Sequence, residues 1–344
     1  MACSSAPPSS NTAINAVDQT ITPTISTVHH NIIETHILTR LDGPTLASAS
    51  CASSHLRALA SEQTLWSDIC HSTWPSTDSP RLRQVISAFP KGARSFFSDS
   101  YPLVTSPANY LPNHNRPSEL ISAVDVCYRG KLILSRVVET ETVTGWFRCS
   151  PFRVDLLDPK DTVPTPIGPP DETCKELGND LTLTWIVVDP ASRRSMNLSS
   201  NKPVSVNRHW LTGEVHVRFA SVLAGGKGSS SELVQCGIVA TCGSGAGGGE
   251  MHVREVSLQV EDMDGMNLNG RDSLVILQKA LEGKRGNGRR REEEGKRRYD
   301  EYLERKRKRK ERRMKREGVL DILGVLMAVL VASSGLFFWW RKTF

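Results

Sequence analysis

The sequence predicts an α+β protein. An N-terminal three-helix block is followed by a mainly antiparallel, β-sandwich-like body, a charged helix and a C-terminal transmembrane helix. Three observations carry this. Ile33, Ile37, Leu38 and Leu41 fall at helical spacing near the start of the chain. Between Leu120 and Val260 the pattern changes to short alternating apolar runs separated by turn residues. Ile322 to Trp340 is a run of 19 residues without a charge, the length that spans about 30 Å of hydrocarbon as a helix.

Residues 1–27 are rich in Ser, Thr, Pro and Ala and hold too little apolar surface to offset ordering entropy, so they are expected to be disordered. Residues 28–75 form the helical block. Asp42-Gly43-Pro44 ends its first helix, and Leu46 opens the second. Leu56 and Leu59 share one face of the next helical stretch, and Leu65 and Trp66 close the block. Helices this short cannot bury all their apolar faces among themselves, so a leftover face needs a partner. Residues 76–118 contain a helical stretch from Arg81 to Ala88. Pro90, Pro102, Pro107, Pro112 and Pro117 then predict a connecting loop.

Residues 119–283 form the β-rich body. Strands are expected over Ile121–Tyr128, Lys131–Glu139, Gly145–Leu157 and Leu181–Asp189. Hairpin pairs are expected from Pro203–Trp210 with Glu214–Val222 and from Leu233–Cys242 with Met251–Val260. Asp272–Leu281 reads as a helix stopped by Gly283. Trp146, Trp185 and Trp210 fall on these strands and are expected mainly to pack the core; a sharper reading places one of them on a binding surface.

Several patterns that resemble chemistry are better explained as structure. Gly243 to Gly248 has the letters of a dinucleotide fingerprint but precedes a strand-like run rather than a helix, so it is expected to be a hairpin loop. Ala224 to Ser230 lacks the ending of a phosphate-binding loop. Asp262, Asp264 and Asn267 lack the spacing and final Glu of a calcium loop, which leaves a turn. His29, His30, His36, His55 and His71 suit packing or solvent better than metal. The cysteines at 3, 51, 70, 127, 149, 174, 236 and 242 have neither zinc nor disulfide-scaffold spacing and read as reduced thiols. No catalytic residue, metal or cofactor is expected.

The order Ile37-Leu38-x-x-Leu41, Leu46, an apolar anchor at Leu56 and the closing Leu65-Trp66 resembles the F-box. His29-His30 stands where many F-boxes have Leu-Pro, and Leu56 where many have Trp. Beyond the block, SPFRVDLLDPKD, NLSSNKPVSVNRHWLTGEVHVRFA and the basic stalk resemble a group of plant F-box proteins with an uncharacterised C-terminal domain. The resemblance implies a non-catalytic substrate receptor of a Skp-cullin-F-box ubiquitin ligase. A Skp-type adaptor, itself bound to a cullin scaffold, would dock on Ile33, Ile37, Leu38, Leu41, Pro44, Leu46, Leu56, Leu59, Leu65 and Trp66. An unknown client would bind the β-rich domain. The ligase would work through effective concentration, holding a client lysine near the charged conjugating enzyme. The alternative is a membrane-anchored interaction protein in which the block merely supports the body.

Residues 284–317 are a basic stalk. From Lys284 to Glu317 there are 18 Lys/Arg against 8 Asp/Glu, whereas the whole chain carries only +6, so the body is mildly acidic. That distribution does not suit a nucleic-acid-binding domain, and no nucleic-acid partner is expected. Glu-to-Lys/Arg pairs at helical spacing predict a solvated helix. Residues 318–344 are the expected membrane tail. Trp339 and Trp340 suit the interface and Arg341-Lys342 the headgroups. The expectation is a cytosolic body held by a tail anchor, with its polybasic stalk near anionic lipids. A nuclear location, suggested by the six basic residues Arg305–Lys310, is the alternative.

Overall fold

The computed structural model describes residues 28–106, 117–168, 174–225, 232–244, 249–286, 288 and 291–343. The expected disordered tail, Pro107, Pro112 and most of both glycine-rich loops lie outside the described residues. The chain divides into two compact units, Met1–Ala60 and Ser61–Phe344.

In the first unit a helical segment begins as an α turn, His30–Ile32. It widens into a π turn over Ile33–Ile37 and tightens to a 3-10 turn over Leu38–Arg40. Thr35 and Thr39 hydroxyls donate to the carbonyls four residues back, a bond that bends helices. Asp42 Oδ1 then accepts from the Thr45 N–H at 3.0 Å and starts the helix Gly43–Ala52. Ser53 Oγ caps the helix Ser54–Leu59 in the same way, at 3.1 Å from the Leu56 N–H.

The second unit opens with the helix Gln63–Thr73, a 3-10 turn Pro75–Asp78 and the helices Pro80–Ser87 and Gly92–Ser100. The helical stretch expected over Arg81 to Ala88 is present as Pro80–Ser87, whereas the loop expected from Pro90 onward is interrupted by the helix Gly92–Ser100. Pro75 and Pro80 occupy first turns, where a missing N–H costs nothing. Trp66, Trp74, Phe89, Phe96 and Phe97 form an aromatic cluster with centroids 5.2–5.9 Å apart. Gly92 sits at φ +53°, and Gln63 Oε1 lies only 2.3 Å from where a Cβ would be, so any side chain there would be strained.

Among the described residues the second unit continues with twelve strands. They are β1 (Val104–Ser106), β2 (Glu119–Tyr128), β3 (Lys131–Glu141), β4 (Arg153–Asp155), β5 (Val163–Pro164) and β6 (Leu181–Asp189). Then come β7 (Arg194–Asn197), β8 (Ser205–Arg208), β9 (Val215–Ala224), β10 (Leu233–Ser244), β11 (Met251–Glu261) and β12 (Lys284–Arg285). One antiparallel sheet has the order β3-β2-β6-β7, and the other β4-β11-β10-β9-β8 with β5 also on β11. Both sheets line one core, where Val124, Trp185 and Val187 join Phe219, Ile238 and Leu258. The helix Gly270–Leu281 adds Leu274 and Leu277 to it. β1 pairs with β12 in a small third sheet.

The predicted strand Gly145–Leu157 is corrected. It starts as a short helix, Gly145–Cys149, capped by Thr144 Oγ1 at 3.2 Å from the Phe147 N–H, and becomes β4 only at Arg153. Gly270 explains the close fit there, since a Cβ would lie 2.1 Å from the Phe147 carbonyl oxygen. The stalk and the tail form one unbroken helix, Arg291–Thr343. Its solvated reading is corrected for the first turns: Tyr299 and Tyr302 are buried, and the Tyr302 hydroxyl donates to the Asp262 carbonyl at 3.0 Å. Arg298 donates to the Val104 carbonyl.

A buried carboxylate ties the helices of this unit to its first sheet. Asp125 accepts from the Ser76 N–H at 2.9 Å, the Ser76 hydroxyl at 2.6 Å and the Ser135 hydroxyl at 2.7 Å. Burial pushes its pKa up, and the three bonds oppose that only in part. A carboxyl held above its unfolded value stabilises most below about pH 3.9, and that contribution is lost as pH rises through the folded value. Asp99 shifts in the same direction through burial. Asp125→Asn should therefore flatten, without abolishing, the fall in stability between about pH 4 and neutrality. Urea unfolding at several pH values reads the slope, and an unchanged slope would refute the assignment.

Candidate functional site

The first unit presents a short helical block whose apolar residues divide into two groups. Ile33, Leu38, Leu46 and Leu56 are buried. Leu41, Pro44 and Leu59 are half-buried. Ile37 is 37% exposed and Ile32 is 49% exposed. Of the four residues that helical spacing puts on one face, Ile33 and Leu38 are interior packing, Leu41 is half-buried and Ile37 is exposed. Ile32, which the 3.6-residue period does not single out, joins Ile37 at the surface. The physical reason is the wide turn: with the Leu38 N–H bonded to the Ile33 carbonyl, residues five apart become neighbours along the segment. In the second unit Leu65 and Trp66 are also buried, and Trp66 lies 5.4 Å from Phe97 between ring centroids.

The β-rich part presents a different surface. The turn joining β8 to β9 exposes Trp210 at 87% and Leu211 at 71%, so the core-packing expectation is corrected for Trp210. This tip is rigid. The His209 N–H donates to the Glu214 carbonyl at 2.7 Å, and the Gly213 N–H to the His209 carbonyl at 2.9 Å, with Gly213 at φ +69°. Thr212 N–H donates to His209 Nδ1 at 3.1 Å, and Arg254 pairs with Glu214 at 3.0 Å. Trp146 is 80% exposed on its short helix and is corrected likewise. Trp185 alone of the three fills the core, donating to Ser122 Oγ at 3.1 Å.

Burial pushes the thiols of Cys70, Cys236 and Cys242 up to about 12, which keeps them protonated and poor nucleophiles at neutral pH. Among the described residues no group of three His, Cys, Asp or Glu side chains could hold a metal ion. The Asp262–Gly265 segment is a turn: Asp262 Oδ1 accepts from the N–H groups of Asp264 and Met266 at 2.8 and 2.9 Å. One helix among the described residues, Arg291–Thr343, is long and apolar enough to cross a membrane, and its apolar stretch touches nothing that buries it.

No family model and no solved structure matches the chain. Curated relatives do. A probable F-box protein of Arabidopsis thaliana is 56% identical over 316 residues, covering 90% of this chain and 92% of the relative. Two further F-box proteins of Arabidopsis thaliana are 46% and 42% identical, covering 90% and 96% of this chain and 95% and 94% of their own lengths. Likeness of that depth, carried along nine-tenths of the sequence, places this chain in the family of F-box proteins.

Proposed function

We propose that the protein is a non-catalytic substrate receptor of a Skp-cullin-F-box ubiquitin ligase. Its family membership supports this reading most directly. The F-box, residues 28–75, docks a Skp-type adaptor that is held by a cullin scaffold. Within it Ile32 and Ile37 are the exposed apolar contacts, while Ile33, Leu38, Leu46 and Leu56 shape the block from inside. Residues 119–283 hold the client, and the exposed Trp210-Leu211 tip on its hydrogen-bonded turn is a suitable anchor for it, because exposed aromatics are favoured interface anchors. Residues 284–317 are the stalk, and Ile322 to Trp340 fixes the assembly in a membrane with the body in the cytosol. The client is a protein of unknown identity, and no covalent step takes place on this chain.

Adaptor capture tests this. Ile37→Asp should weaken recovery of a Skp-type adaptor by about 2 kcal/mol or more, roughly thirtyfold, as expected for an interface anchor. Circular dichroism should show the block still folded, because Ile37 is partly open to solvent, at 37% exposure. Leu38→Ala is a poorer probe, since a buried leucine costs about 2–5 kcal/mol of folding stability. If wild-type protein recovers no adaptor, the alternative of a membrane-anchored interaction protein stands. Undiminished recovery by Ile37→Asp would remove Ile37 from the docking face.

A further inference from the structure

The C-terminal helix uses its basic residues unequally. Arg298 bonds the Val104 carbonyl, and Arg305 lies 3.9 Å from Glu232. Arg309 grips Asp264 with two bonds, Nε–Oδ1 at 3.0 Å and Nη2–Oδ2 at 2.8 Å. Arg307, Lys308 and Arg313 pair along the helix with Glu311, Glu304 and Glu317. Arg312, Lys315 and Arg316 are exposed and have no ion pair among the described residues. Successive residues turn by about 100°, so these three share an arc of about 100°.

Their height above the apolar stretch is fixed by the helix. Arg316 is six residues before Ile322 and Arg312 ten, with no break between. At 1.5 Å per residue this is about 9 Å and about 15 Å. Headgroups occupy roughly 5–8 Å outside the hydrocarbon, and charge is felt over a further ~8 Å at physiological salt. Long arginine and lysine side chains extend that reach. Lys296, Arg297 and Lys310 are exposed without an ion pair among the described residues too, but they lie farther from the apolar stretch, Lys310 twelve residues before Ile322.

We propose that Arg312, Lys315 and Arg316 bind anionic phospholipid headgroups of the leaflet that Ile322–Trp340 enters, making the anchor selective for negatively charged membranes. The proposal rests on the reading that Ile322–Trp340 spans. Because the helix runs unbroken from the Arg309–Asp264 contact into the apolar stretch, such binding also sets the height of the body above the bilayer.

The test uses full-length protein carrying Val329→Arg and Val331→Arg, whose tail no longer inserts, so that headgroup binding is read alone. It should co-sediment with phosphatidylcholine vesicles containing phosphatidylserine, and not with phosphatidylcholine alone. Binding should fall steeply with added salt. Adding Arg312→Gln, Lys315→Gln and Arg316→Gln should weaken it on the order of a hundredfold, from the usual contribution of each basic residue near such a surface. Exchanging Lys131, Lys160 and Lys175 for Gln, the same change in net charge, should leave it unaltered. A second measurement needs no substitution: in reconstituted wild-type protein, amide hydrogen exchange over 310–318 should be several-fold slower in phosphatidylserine-containing vesicles than in phosphatidylcholine. Equal binding or equal exchange in the two lipids overturns the proposal, as does tighter binding to single-stranded RNA at the same salt. Carbonate extraction of the wild-type protein reports separately on the span, so failure of the anchor and failure of lipid selection are told apart.

Discussion

Arginine at both Val329 and Val331 is expected to move the protein from the membrane pellet to the soluble fraction after alkaline carbonate extraction. Both positions lie near the middle of the 19 uncharged residues, and both are about two-thirds exposed, at 60% and 66%, with no protein surface covering them. Each arginine near the centre of a span costs about 2.5–3.5 kcal/mol on the insertion scale, whereas each Leu, Ile, Phe or Val contributes only about −0.3 to −0.6. Two charges therefore outweigh most of what the stretch supplies. Arginine is a good helix former, so the helix itself should persist. Protease added to intact membranes should digest residues 28–317 in the wild-type protein, because they face the cytosol in this reading. A freely soluble wild-type protein, or a protected body, would show that the apolar stretch is buried against protein instead.

Arg285→Met is expected to cost the second unit about 3 kcal/mol, because several backbone carbonyls lose a charged hydrogen-bond donor at once. The Arg285 guanidinium donates to five carbonyls, those of Asp99, Ser195, Ala280, Leu281 and Gly283, at 2.8–3.1 Å. It thereby joins the helix Gly92–Ser100, β7 and the end of the helix Gly270–Leu281 through one side chain. Burial pulls its pKa down to about 10, so it stays charged at neutral pH. Without it, Arg194, 3.2 Å away, is the cation that remains beside Asp99, and the carbonyls lose a donor that water cannot easily replace. Arg285→Lys should recover part of the loss, since an ammonium carries the charge but not the planar fork. Denaturant unfolding measures both variants. A Met variant within about 0.5 kcal/mol of wild type would mean that the carbonyls are solvated.

What the sequence by itself determined depended on local signals. Alternation marked the strands β2, β6, β9, β10 and β11 to within about three residues at either end, because pleated backbone repeats every two residues. Length and the absence of charge marked the candidate span, and the spacing from Ile37 to Trp66 carried the family resemblance that the relatives bear out. Only the tertiary structure decided which apolar residues of the helical block face out. A 3.6-residue period assigns Ile33 and Ile37 to one face, whereas the π turn buries Ile33 and leaves Ile32 and Ile37 at the surface. Tertiary structure likewise separated Trp185 from Trp146 and Trp210, since alternation says nothing of whether a residue ends in a strand, a capped turn of helix or a hairpin tip. It also decided that the basic stalk is docked through its first turns. The acceptors of Arg309 and Arg298 lie 45 and 194 residues away in the chain, and electrostatic pairing over such separations leaves no periodic trace in the sequence.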